Sequence, residues 1–98
     1  MSPLKRMLEL VELDVRELAP PEPMAKILQA LAKLNSDQCL QIRHSRQPYP
    51  LYEKLVQAGW GYHCDKVSDK QVTLYIFKQE NQSLFEQLRL NPCLKLKT

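Results

Sequence analysis

Apolar and polar positions alternate from Val11 to Val15, with Glu12, Asp14 and Arg16 in the polar places, which is the period of a half-buried strand. Leu8 and Leu10 are out of phase with that run and predict a bulge or an entry bend before it. The period then lengthens. Met24, Ile27, Leu28, Leu31 and Leu34 recur at helical spacing with Lys26, Gln29 and Lys33 outside, which predicts a helix over 22–34, closed by Asn35, Ser36 and Asp37. Alternation returns over 39–44: Leu40, Ile42 and His44 share one face, and Cys39, Gln41 and Arg43 share the other. A loop over 45–50 leads to a second helix over 51–58, with Leu51 and Leu55 inward and Gly59 as its stop. Trp60, Tyr62 and Cys64 alternate with Gly61, His63 and Asp65 in a third strand. Ser68, Asp69 and Lys70 make a hairpin turn, and Val72, Leu74 and Ile76 alternate with Thr73, Tyr75 and Phe77 in a fourth. Asn81, Gln82 and Ser83 are placed to cap a short last helix carrying Leu84, Phe85 and Leu88 on one side, with Pro92 at its end and a tail over 93–98.

The order is βαβαββ plus a C-terminal helix. Each βαβ unit should be a right-handed crossover between parallel strands, and the final hairpin makes the four-stranded sheet mixed. Both crossover helices then lie on one face, giving a two-layer α/β (α+β) sandwich. The expected division is a domain over 1–78 and an extension over 79–98. Prolines punctuate both strand-to-helix junctions, at Pro20, Pro21 and Pro23 and again at Pro48 and Pro50. Proline lacks an N–H and has a fixed φ, so it suits a first helical turn, where that N–H would have no intrahelical partner. Glu22 adds a carboxylate at the positive end of the first helix.

Composition narrows the function classes. The 98 residues suffice for one domain with one core, and 44% apolar residues are ordinary for a globule. No apolar run approaches the ~20 residues of a membrane span. The start, MSPLKRMLELVELD, has acids inside its apolar stretch and no small-residue cleavage site, so a cytoplasmic location is expected. The net charge of +3 is mild and the basic residues are scattered, among them Arg43 and Arg46, Lys66, Lys70 and Lys78, and Lys95 and Lys97, which is not the dense basic stripe that nucleic-acid binding requires. Cys39, Cys64 and Cys93 are odd in number, far apart and without a C-x-x-C pair, which argues against a dithiol redox motif or a zinc knuckle.

Leu13-Asp14, followed by Pro21-Glu22-Pro23 and an amphipathic helix, resembles the TusA/SirA-like superfamily of small βαβαββ domains. In its sulfur carriers the motif reads LDxxGLxCPxP, and the cysteine carries a persulfide at a helix start, where the dipole favours thiolate. Aligned without gaps, that cysteine falls on Pro20 and the glycine on Glu17, so sulfur transfer is not carried over. Arg43-His44-Ser45-Arg46, Pro48-Tyr49-Pro50-Leu51-Tyr52 and Gly59-Trp60 make the chain look closer to a sister branch, a domain-of-unknown-function family, over about 10–78. The resemblance implies a sheet in which strand four lies between strands two and three, too far apart for a Cys39–Cys64 disulfide.

In parallel βαβ units ligands favour the edge where strands end and helices begin. Arg16 follows strand one, and His44 and Arg46 follow strand two. With the N–H groups of two helix starts they form a candidate site for an anion or small acidic ligand, in which Glu22 competes with the anion. The alternative is that Arg16 pairs with Asp14, Glu17 or Glu22. No metal and no other cofactor is expected: His63 and Cys64 point to opposite faces of a strand, and His44 with His63 is too sparse. Ser45 beside His44 lacks a paired carboxylate, and two glycines are too few for a phosphate-cradling loop. On the sheet face away from the helices, Tyr75 and Phe77 call for cover. Either the last helix folds back with Leu84, Phe85 and Leu88, or a partner, such as a second copy in a homodimer, uses these five residues. The reading is a non-catalytic binding or regulatory module, tied by kinship to sulfur or redox metabolism. The alternatives are a sulfur-transfer accessory using Cys39 or Cys93, and a weak RNA-binding domain.

Overall fold

A computed structural model describes residues 8–90. The elements are β1 (Glu9–Asp14), α1 (Glu22–Ala32), β2 (Gln38–His44), α2 (Tyr49–Gln57), β3 (Trp60–Ser68), β4 (Gln71–Lys78), a 3-10 turn (Gln79–Asn81) and α3 (Gln82–Leu90). The sheet runs β1-β2-β4-β3, with β1 parallel to β2 and the two other pairings antiparallel. This is the expected mixed, two-layer sandwich. The alternating apolar residues explain its main core. Val15, Leu40, Ile42, Leu74 and Ile76 from the sheet close on Ile27 and Leu31 of α1 and Leu51 and Leu55 of α2, all buried.

Local chemistry shifts several boundaries. The sequence places the start of α2 at Leu51, whereas the helix begins at Tyr49 with Pro50 inside its first turn. Proline is harmless there because no carbonyl lies one turn back to receive its missing N–H. The sequence extends α1 to Leu34, but the helix ends at Ala32. The N–H groups of Lys33 and Leu34 turn to the carbonyls of Ala30 and Leu31, the tightened i→i−3 pattern of a closing helix. β3 runs on to Ser68, so the turn before β4 shrinks to Asp69 and Lys70, with a register shift between Lys66 and Ser68.

The expected bulge before β1 is absent. The β1–β2 register is unbroken from Glu9↔Gln38 to Asp14↔Arg43. Leu8 and Leu10 are out of phase with Val11 because they serve the opposite face. There Leu8, Cys39, Phe77 and Phe85 form a second buried cluster under α3. Phe77 and Phe85 stack at 4.4 Å, and Phe77 also lies over Gly61, where a Cβ would come within 2.6 Å of its ring. The sequence gives Asn81 the task of capping α3. Instead its side chain is buried and donates to the Ser36 carbonyl, clipping the entry of α3 to the α1–β2 loop. Among the described residues no helix is long and apolar enough to cross a membrane.

Candidate functional site

Because β1 and β2 are parallel neighbours, both end at one rim, and α1 and α2 both start from it. The rim therefore gathers the segments that carry Arg16, Glu22, His44 and Arg46. It does not gather all four side chains. Arg16 folds back onto Asp14, its backbone N–H and Nε donating to Oδ1 at 3.1 and 2.9 Å and its Nη2 to Oδ2 at 2.7 Å. Its Nη1 reaches Gln71 Oε1 at 3.4 Å. The bound guanidinium holds the Asp14 carboxyl at about 2, below the usual carboxylate range, and Asp14 in turn raises Arg16. Asp14 and Gln71 alternate onto the α3 face of the sheet, whereas His44 shares its face with Leu40 and Ile42 under α1 and α2. The sheet thus separates the Arg16 pair from the histidine.

His44 is 7% exposed. The backbone N–H of Arg46 donates to its Nδ1 at 3.2 Å, which leaves Nε2 as the protonated nitrogen of the neutral ring. Burial, and then the Arg46 charge, push the imidazole below its ordinary value of 6.5, so it is uncharged at neutral pH. Among the described residues no carboxylate lies within ion-pair distance of Arg46, and both Arg46 and Glu22 are exposed.

The helix starts contribute fewer donors than their position suggests. Pro23 and Pro50 have none. The N–H of Glu22 bonds the Ala19 carbonyl, that of Tyr49 bonds Gln47, and that of Leu51 bonds Pro48. The same prolines that start the helices spend most of the free backbone groups an anion would use.

Sequence reasoning missed the tyrosines beside this rim. Tyr52 stacks on Tyr62 at 4.3 Å with the rings 5° from parallel, and Tyr49, 66% exposed, meets the Tyr52 ring edge-on at 5.8 Å. Tyr52 donates its hydroxyl to Gln47 Oε1 at 3.2 Å. Burial, and then the neighbouring Cys64 thiol, hold that hydroxyl well above the usual phenol range. The only sequence signal was the density of tyrosines around Pro48 and Pro50. Nothing local reveals that Tyr62, a strand away, completes the stack.

The residues proposed to meet a partner, Tyr75, Phe77, Leu84, Phe85 and Leu88, are gathered in the second cluster, where the chain's own α3 lies against β4. Around it, His63 Nε2 meets Asp65 Oδ1 at 2.7 Å and Arg89 Nη2 reaches the same oxygen at 3.7 Å. The Tyr75 hydroxyl accepts from Gln41 at 3.3 Å. Cys39 lies in this cluster, and burial pushes its thiol up to about 12, far from thiolate at neutral pH. Cys93 lies outside the described residues. Among the described residues no three histidine, cysteine or acidic side chains converge as metal ligands.

One family model matches, described as "Uncharacterized conserved protein (DUF2249)", over residues 12–78. The match ends where β4 ends, so α3 lies beyond it. No curated protein and no solved structure matches the chain.

Proposed function

We propose, for a chain that belongs to the DUF2249 family, a non-catalytic binding module whose ligand is a small acidic molecule held at the rim by Arg46 and His44. The observation that carries this reading is the hydrogen bond from the Arg46 backbone to His44 Nδ1. It fixes a buried neutral ring with its proton on Nε2, next to a cation that no carboxylate of the described residues neutralises. Glu22 repels an anion from the start of α1, so the ligand belongs on the α2 side of the rim, where Tyr49 is exposed. Arg16 is held by Asp14 on the other face of the sheet and acts on this ligand only through its charge at a distance. Kinship with the TusA/SirA-like domains is part of the proposal, supported by the βαβαββ order and the β1-β2-β4-β3 sheet. Pro20, at the place of the carriers' cysteine, sets this chain apart from the persulfide chemistry, and a link to sulfur or redox metabolism enters through that kinship.

Titrations of the full chain with inorganic phosphate and with succinate, followed by backbone amide and imidazole resonances, test the reading. The expected result is movement of the amides over 44–51 and a rise of the His44 midpoint towards 6.5, since an anion favours imidazolium. By the same linkage, affinity increases as pH falls. Arg46→Ala should weaken binding about fivefold or more, and Arg16→Ala less, in line with a charge-assisted contact. If both anions leave 44–51 unmoved, the reading fails.

A further inference from the structure

The sheet has two edges, and they differ. β3 carries a register shift at Lys66/Ser68 beside the exposed Lys66, devices that hinder a further strand. β1 carries exposed acids at Glu9, Glu12 and Asp14 but no register shift. Its pairing with β2 is unbroken, and among the described residues no strand lies on its other side. The N–H groups of Glu9 and Val15 donate towards β2, to the carbonyls of Asp37 and Arg43. Alternation along the strand therefore turns the backbone N–H and C=O of Leu10, Glu12 and Asp14 outward.

Beside this open edge runs a groove of about 430 Å³ between β1 and α1. Val11, Leu13, Ala30 and Leu34 make its apolar floor, and Lys26 and Lys33 stand over it. Neither lysine has a carboxylate within ion-pair distance among the described residues. Glu12 faces Arg43 at 3.6 Å and Asp14 holds Arg16, both on the other face of the sheet, and Glu9 accepts from the neutral Gln38 amide at 3.2 Å and keeps its charge. The groove therefore presents unpaired backbone, an apolar strip and two free positive charges together.

We propose that this edge takes an extended acidic segment of a partner protein as a fifth strand, by β-augmentation. The outward backbone groups of Leu10, Glu12 and Asp14 bind the main chain, and alternate side chains enter the groove. Lys26 and Lys33 are two helical turns apart, roughly 10 Å along the axis. Side chains on one face of a strand repeat every ~6.6 Å. An acid, an apolar residue and an acid at alternate positions therefore place a carboxylate within reach of each lysine, with the apolar side chain on Val11 and Leu13. A second copy of this chain is the poorer occupant. Antiparallel pairing of two β1 strands would set the lysines of one α1 against those of the other.

The test uses the full chain and a short synthetic peptide with glutamates flanking a valine at alternate positions. A matched peptide carrying lysine in place of glutamate serves as its control. Binding is read by fluorescence anisotropy and by amide shifts. The expected result is binding of the acidic peptide alone, with shifts at Leu10, Glu12 and Asp14 and weakening by salt. Lys26→Glu with Lys33→Glu, two substitutions at exposed positions of α1, should weaken it about tenfold or more and admit the lysine peptide instead. Glu12→Pro should abolish it by removing an outward N–H while sparing the β1–β2 ladder. The proposal is overturned if the acidic peptide does not bind, or if the charge reversal leaves its binding unchanged. It is also overturned if sedimentation shows self-association that Glu12→Pro abolishes, which would make a second copy the occupant.

Discussion

The two faces of one sheet are buried by different means. Under α1 and α2 the cover is aliphatic and continuous, from Val15 across Ile42 and Leu74 to Leu55. Under α3 it is a patch of four buried residues at one corner, two of them phenylalanines. Apart from the exposed Leu10, much of that face is polar and paired: Arg43 with Glu12, Gln41 with Tyr75, Asp14 with Arg16, and His63 with Asp65. A continuous apolar face cannot be uncovered without unfolding the domain. A small aromatic patch ringed by polar pairs can be uncovered and leave the sheet standing. The first face is the fold, and the second is a cover laid on it.

The largest expected effect lies on the first face. Leu74→Ala removes a fully buried side chain from the middle of the core. It should cost about 2–5 kcal/mol in urea unfolding, with the whole domain lost in one transition. Phe85→Ala sharpens the contrast. A buried phenylalanine usually costs about 3–5 kcal/mol, but here the loss should stop at the docking energy of α3, below the cost of unfolding the domain. Amide exchange should then rise along 82–90 while β2 and β4 stay protected. If both variants unfold with one shared exchange pattern, the two faces are one cooperative unit.

The smallest effect belongs to the polar rim of the second face. The Asp14 carboxyl is held at about 2, against 3.8 for an unperturbed aspartate. A lowered folded value means that the Arg16 pair stabilises the fold above pH ~4 and loses that contribution as pH falls towards 2. A carboxyl titration by NMR should place the midpoint near 2 and return it towards 3.8 in Arg16→Gln. Stability at neutral pH should hardly change, as for other exposed pairs.

Strand periodicity made the first face legible, because a strand buried on one side writes its burial as alternation. It failed at Leu8 and Leu10, which point to the other face, where α3 buries Leu8 and leaves Leu10 exposed. Amphipathicity identified α3 as a helix, but the same stripe suits its own sheet or a foreign surface, so where it docks was open until Phe85 was seen on Phe77. At the rim, the sequence placed four residues on adjacent segments correctly. It did not reveal which face of the sheet each side chain takes, nor that Asp14, two residues back, captures Arg16. The prolines open the helices as the sequence indicates, but the helix starts offer fewer free donors than expected, since the carbonyls of 19, 47 and 48 take up N–H groups that remain.

The two-residue turn at Asp69–Lys70 has a consequence for assembly. It closes the β3–β4 pairing over almost no chain, the least entropic cost of any pairing in the sheet. β4 meets β2 only across the segment from Ser45 to Lys70, and β1 meets β2 only across Val15 to Asp37. Local contacts form fastest, so the hairpin is the natural nucleus. Among the described strands, β1 is then held by one neighbour, at the margin of a sheet that grows towards it from the hairpin.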